Sequence, residues 1–332
     1  SGSLFAVGDT VGNHLMLIYN RKLVPSPPAT TRVLILLGKA LTQDSDGDGR
    51  PERYGLAWNY TEPFFFVPWI AGFGGDFFSA ETGPALGTEA VQQAFAFIRA
   101  LRARYGIVPV ESDYETANAF FKEGRAAMII NGDWSWGDYK AAGVDFGIAP
   151  LPQVSETGLW PAPLVSAKGF SLNVHASGRE KELALELIRH LTSARTQRLY
   201  AERLSSLPSR LGVRAEPAVA ANPLLLASIP VLEKGRPMPV VPEIRAVWDA
   251  LRGPYQSVIA GSSTPEAAGA EAQALAERQI KAMNELPEPG AQAAAAKIFL
   301  GLLALAGIYI AFRAARRIAI GLMGEQRAAY CT

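Results

Sequence analysis

The run Ala126-Ala127-Met128-Ile129-Ile130 has no position that could turn towards water, and it is closed by Gly124 before it and the turn Asn131-Gly132-Asp133 after it. A segment this short and uniformly apolar reads as a strand buried on both faces, which requires a sheet covered by helices. Directly behind the turn stand Trp134-Ser135-Trp136. Large aromatics at the end of a buried strand lie where loops line clefts, so a ligand is expected there.

The remaining pattern agrees with a covered sheet. Residues 15–19 form a second buried-strand candidate, stopped by Pro25-Ser26-Pro27-Pro28, and residues 33–41 a short helix. Thr88 is placed to cap a helix reaching Tyr105, with Val91, Ala94, Phe95, Ile98 and Leu101 at intervals of three and four. Further helices are predicted over 114–123, over 180–204 in one or two pieces, over 243–251 with Trp248 on it, and from the cap Thr264-Pro265-Glu266 to about residue 284. A strand is predicted over 169–174. Strands alternating with helices of this length predict an α/β architecture.

Charge and cysteine usage exclude several functions. Lys plus Arg total 32 against 31 for Asp plus Glu, so there is no basic excess to hold a nucleic acid. The single cysteine, Cys331, and the scattered His14, His175 and His190 offer no disulfide and no zinc spacing. After Leu286-Pro287-Glu288-Pro289-Gly290 the composition changes abruptly, and residues 298–312 read IFLGLLALAGIYIAF before Arg313, Arg316 and Arg317. Residues 291–312 match the ~20 apolar residues that cross a bilayer, and the arginines mark the cytoplasmic side. A buried core helix is the alternative. The expectation is a globular part outside the membrane, a crossing helix with basic flank over 291–318 and a cytoplasmic tail over 319–332.

Three stretches, in order and spacing, resemble the maltose-binding-protein branch of ABC-transporter solute-binding proteins. The first is Asn59-Tyr60-Thr61-Glu62-Pro63-Phe64-Phe65 followed by residues 69–75; the second runs from Phe120 to Trp136, similar to F-x-x-G-x-x-A-M-x-I-N-G-x-W-x-W; the third is Gly235-Arg236-Pro237-Met238-Pro239 with Ala246-Val247-Trp248. The resemblance implies a periplasmic-binding-protein type II-like, two-lobed α/β fold that closes on a sugar and delivers it to a permease and its ATPase. It implies ring stacking by Trp134, Trp248 and Phe64, a hydroxyl contact by Glu62, and cleft positions for Trp136, Met238, Arg252 and Asn13, the last standing where maltose binders carry an acid. It also implies one incomplete lobe, because the chain starts part-way through the family pattern: residues 1–10 are a leader or expression remnant, 11–284 the binding domain, and 285–290 a linker. Within the domain, 16–165 and 224–284 form the intact lobe and 11–15 and 169–222 the partial one. Fusion to the permease subunit is one expectation from the tail. A glycan-binding sensor or adhesion ectodomain with one membrane span is the alternative.

Two further patterns carry chemistry of their own. Asp44, Asp46 and Asp48 with Gly49 match the start of a calcium loop, although its twelfth position is Gly55 and not glutamate, and a simple solvated Asp/Gly turn is the reading favoured over it. A structural Ca²⁺ is the only ion or cofactor to which the residues point. Glu62 and Asp133 could be cast as the two acids of a glycosidase. No nucleophile elbow, phosphate loop or metal motif accompanies them, so binding without turnover is the expectation.

Overall fold

The computed structural model describes residues 4–285, 297, 299 and 300. Its strands are β1 (Val7–Gly12), β2 (Leu15–Asn20), β3 (Tyr54–Ala57), β4 (Phe78–Ser79), β5 (Gly83–Pro84), β6 (Ala126–Gly132), β7 (Phe146–Ala149), β8 (Leu164–Phe170), β9 (Leu207–Pro208) and β10 (Arg236–Pro237). The helices up to the middle of the chain are α1 (Thr31–Leu41), α2 (Val67–Gly72), α3 (Glu89–Ala103), α4 (Tyr114–Lys122) and α5 (Trp136–Ala141). Beyond them lie α6 (Gly178–Leu191), α7 (Ala194–Leu204), α8 (Leu211–Arg214), α9 (Pro217–Ala220), α10 (Pro223–Lys234), α11 (Glu243–Ala260) and α12 (Pro265–Glu285).

One sheet has the order β3-β6-β2-β7. Its centre is the antiparallel pair β2–β6, registered from Leu15↔Gly132 to Tyr19↔Met128, with β3 added parallel to β6. All seven residues of β6 are buried, as the apolar run requires. Successive residues of β2 face opposite cores: Leu15 and Leu17 join the first, Met16 and Ile18 the second. In the first core Phe66 stacks between Phe95 at 4.3 Å and Tyr255 at 5.4 Å, while the Trp58 indole N–H donates to the Tyr255 hydroxyl at 2.9 Å. Helix α1 reaches β3 through glycines on both sides: a Cβ on Gly55 would stand 2.4 Å from the Gly38 Cα.

A second sheet runs β10-β8-β1-β9. Here β1 pairs antiparallel with β8 from Val7↔Phe170 to Gly12↔Ser166 and with β9 through Thr10 and Val11, while β10 lies parallel to β8. Residues 7–10, expected within a leader, therefore build most of a strand. The strand expected over 169–174 is placed earlier, at Leu164–Phe170. Its Lys168 and Gly169 are exposed, so hydropathy alone did not mark it. Helix α6 has no buried residue, and Leu183 and Leu187 are 48% and 56% exposed. Ala201, Val213, Val219, Leu225 and Val231, from α7 to α10, instead share the second core with Met16 and Ile18.

Other departures have local causes. Thr88 stands at the cap of α3, but its hydroxyl donates to the Ala85 carbonyl and accepts nothing from the helix. Helix α11, expected to end at 251, continues through Pro254 to Ala260 because Leu251, Tyr255, Val258 and Ile259 remain buried along one face. That burial outweighs the ~3 kcal/mol cost of an internal proline. Thr264 caps α12 as expected, accepting from the Ala267 N–H at 3.2 Å.

A second compact unit spans Lys281–Thr332, of which residues 281–285, 297, 299 and 300 are described. The expected linker lies outside the described residues except for Glu285, and so do the cytoplasmic tail and, apart from Lys297, Phe299 and Leu300, the crossing helix. Among the described residues no helix is long and apolar enough to cross a membrane.

Candidate functional site

Three aromatic side chains from distant parts of the sequence meet beside the first core. Phe64 lies in a short 3-10 turn, Pro63–Phe65, with its ring centre 6.1 Å from Trp134 and 6.4 Å from Trp248 at interplanar angles of 49° and 61°. All three rings are half-buried. Flat faces held at an angle to one another and partly open to solvent can take the C–H faces of a sugar.

Each ring is set by its own support. Trp134 opens out of a 3-10 turn directly after β6, and its ring lies back over Gly132: a Cβ there would stand 2.0 Å from the indole. The indole N–H of Trp134 donates to the Tyr114 hydroxyl at 3.1 Å. Trp248 rides on α11 and stacks on Phe77 at 5.5 Å and 23°. Neither Phe77 nor Tyr114 was singled out as a site residue from the sequence. Phe77, 3% exposed, looks like any core phenylalanine, and Tyr114 reads only as the first residue of a helix behind its cap Asp113.

Polar groups flank the rings. Glu62, two residues before Phe64, and Arg252, one helical turn beyond Trp248, form an ion pair at 3.4 Å with both side chains nearly half-exposed. Gln256, the next turn of α11, donates to the Thr61 carbonyl at 3.2 Å, so the turn and the helix are tied twice. Met238 is half-buried against the first core, and its N–H donates to Val165 O at 2.9 Å.

One expected position is closed off, and another stands at the crossing between the two sheets. Trp136 is 2% exposed within the second core and offers no open face, because the two tryptophans emerge from successive turns on opposite sides of β6. Asn13 stands at the crossing from β1 to β2 with φ of 54°, a left-handed conformation that asparagine tolerates better than most residues. Beside it His14 is 1% exposed, and burial pushes its imidazole below the usual histidine range, opposed by Asp133 and reinforced by Lys168. Of the tryptophans expected to be packing residues, Trp58 and Trp69 are each 1% exposed, whereas Trp160 is half-buried beneath the Lys234 ammonium at 4.9 Å.

In the acidic loop, one carboxylate oxygen from each of Asp44, Asp46 and Asp48 lies within 4.8 Å of the others. The loop's own amides already engage them: Gly47 and Gly49 donate to Asp44, Asp48 to Asp46 and Arg50 to Asp48, at 2.7–3.1 Å. The carboxylates are exposed, and Gly55 lies in β3, so no bidentate acid closes the loop.

Comparison with known proteins points in one direction. The chain is 30% identical over 249 residues to the maltotriose-binding protein of Pyrococcus abyssi, covering 73% of this chain and 52% of that protein. It is 24% identical to the maltodextrin-binding protein MdxE of Bacillus subtilis, covering 80% and 65%. The chain thus spans between half and two-thirds of the length of these relatives. Among solved structures, the maltose/maltodextrin-binding domain MalE from Bdellovibrio bacteriovorus bound to maltotriose superposes with a TM-score of 0.80 at 53% identity, over 83% of this chain and 73% of that one. The Thermus thermophilus maltotriose binding protein bound with maltotriose gives 0.73 at 26% identity, over 83% and 72%. These likenesses give the two-lobed maltose-binding-protein type of α/β fold. These relatives are described as binding proteins, in line with binding without turnover and against the glycosidase casting of Glu62 and Asp133. With residues 1–227 matching the family model described as bacterial extracellular solute-binding protein, more than half of its length, the chain belongs to that family.

Proposed function

We propose that this chain binds maltooligosaccharides as the solute-binding component of an ABC importer, with Phe64, Trp134 and Trp248 as stacking faces and Glu62, Arg252, Met238 and Asn13 around them. The observation that carries the reading is the convergence of these three rings, drawn from a turn, a strand end and a helix, beside the Glu62–Arg252 pair. The names of its relatives, which are maltotriose and maltodextrin binders, support the ligand class. In this reading closure takes place about crossings near residues 11–15, 165 and 222. Closure needs a ligand that favours the closed state by a few kcal/mol. The globular part stands outside the cell, with the apolar segment 291–312 as its anchor and Arg313, Arg316 and Arg317 on the cytoplasmic side.

The test is the melting temperature in a panel of maltodextrins, trehalose and other disaccharides. A rise with maltotriose that Trp134→Ala abolishes is expected; an undiminished rise in that variant would remove Trp134 from the site, and no rise with any α-linked glucoside would end the sugar reading. Anchoring is checked by membrane fractionation, where recovery of the whole chain in the soluble fraction would refute it.

A further inference from the structure

Unsatisfied buried polarity is concentrated at one place. Among the described residues, five buried side-chain atoms have no hydrogen-bond partner, and three of them, His14 Nδ1 and Nε2 and Asp133 Oδ1, belong to His14 and Asp133. Such atoms cost free energy when they stay unpaired, so their clustering marks a spot with another arrangement within reach.

The spot is the crossing between the two sheets. Strand β1 ends at Gly12, paired with Ser166, and β2 begins at Leu15, paired with Gly132. Continuing that antiparallel register by one residue sets His14 opposite Asp133. The Asp133 carboxylate also lies flat on the crossing, since a Cβ on Gly12 would stand 2.2 Å from its Oδ2. Two charged groups act on His14: Asp133 from the turn behind β6 and Lys168 from β8. Asp133 is joined through one peptide bond to Trp134.

We propose that His14 is a positioning residue of the sugar site and a proton-operated latch on the crossing: neutral, it leaves Asp133 against Gly12; protonated, it draws the Asp133 carboxylate to itself and carries Trp134 out of register with Phe64. The chemistry follows from the unpaired atoms. A buried imidazolium has two N–H donors to satisfy, and the unpartnered carboxylate oxygen beside it is Asp133 Oδ1. The effect on sugar affinity rests on the function proposed above; the latch itself does not.

The sign is fixed by burial. The folded imidazole titrates below the unfolded value of 6.5, so the stability of this arrangement is complete above that pH and is lost as pH falls through the folded value. The limiting loss is about tenfold in the folding equilibrium constant per pH unit. His175 and His190 are exposed and lie elsewhere.

The experiment follows denaturant unfolding and maltotriose affinity of the 332-residue chain between pH 7.5 and 5.5, in wild type, His14→Gln and Asp133→Asn. Wild type should lose folding equilibrium constant towards the tenfold-per-unit limit, with maltotriose bound several-fold more weakly at the acid end. In His14→Gln both dependences should vanish, and in Asp133→Asn the acid loss should deepen because the opposing carboxylate is gone. Should a variant fail to fold, NMR of the wild type decides, with the His14 ring and Trp134 indole resonances shifting at one midpoint below 6.5. Equal pH dependence in wild type and His14→Gln, or a Trp134 resonance indifferent to the His14 titration, overturns the latch. Absence of maltotriose binding at every pH, alongside His14 and Trp134 resonances that shift together, supports the latch and overturns the sugar reading alone.

Discussion

Gly132→Ala tests how Trp134 is held. Gly132 has φ −106° and ψ 175°, extended backbone open to any residue, so the substitution meets no conformational objection. The obstacle is the indole: the added Cβ would lie 2.0, 2.2 and 2.4 Å from three of its ring carbons, where carbon atoms settle at about 3.5–4.0 Å. The backbone cannot take up the difference, because Gly132 is paired with Leu15 in a strand buried along its whole length. The near edge of the ring must move by about 1.5 Å to restore ordinary contact. That displacement breaks the 3.1 Å hydrogen bond to Tyr114 and alters the 6.1 Å approach to Phe64. Overpacking of this kind costs about 1–3 kcal/mol of stability. If an aromatic contact with the sugar is comparable to an aromatic pair, about 0.5–1.5 kcal/mol, affinity should fall roughly two- to tenfold. Maltotriose titration followed by tryptophan emission measures the second quantity and urea unfolding the first. Gly137→Ala serves as control, since nothing lies within 4 Å of its added Cβ. A Gly132→Ala protein with wild-type emission, affinity and stability would refute the placement of the ring.

Tyr255→Phe should keep the stack on Phe66 but leave the buried Trp58 N–H without its acceptor, lowering unfolding free energy by about 1–3 kcal/mol; unchanged urea unfolding would show that the N–H finds another partner. Millimolar calcium should leave the melting temperature unchanged, because the three exposed carboxylates of Asp44, Asp46 and Asp48 have no bidentate acid at Gly55 to complete a calcium loop. A rise that Asp46→Asn removes would establish a cation site there.

How far the sequence foretold the structure depended on whether the cause was local. The run 126–130 specified a strand with both faces buried, and the tryptophan behind its turn stands half-buried, 6.1 Å from Phe64. Trp136 shows the limit: two residues further on, its side chain turns into the second core, a direction set by how the chain leaves the strand and not by residue type. The second sheet was harder to read because its strands are short, polar or exposed, and β1 and β8 exist through pairing with each other. The same holds for α11, whose extension past Pro254 depends on a buried face supplied by other segments. Phe77 and Tyr114 act on the site through neighbours distant in sequence, which no spacing rule reports.

The column Phe95–Phe66–Tyr255, with Trp58 bonded to its end, has a consequence for the binding proposed above. It clamps the 3-10 turn onto α11, so Phe64 and Trp248 belong to a single rigid jaw whose spacing is fixed before any guest arrives. The ordering entropy of those two plates is spent during folding and not charged against recognition.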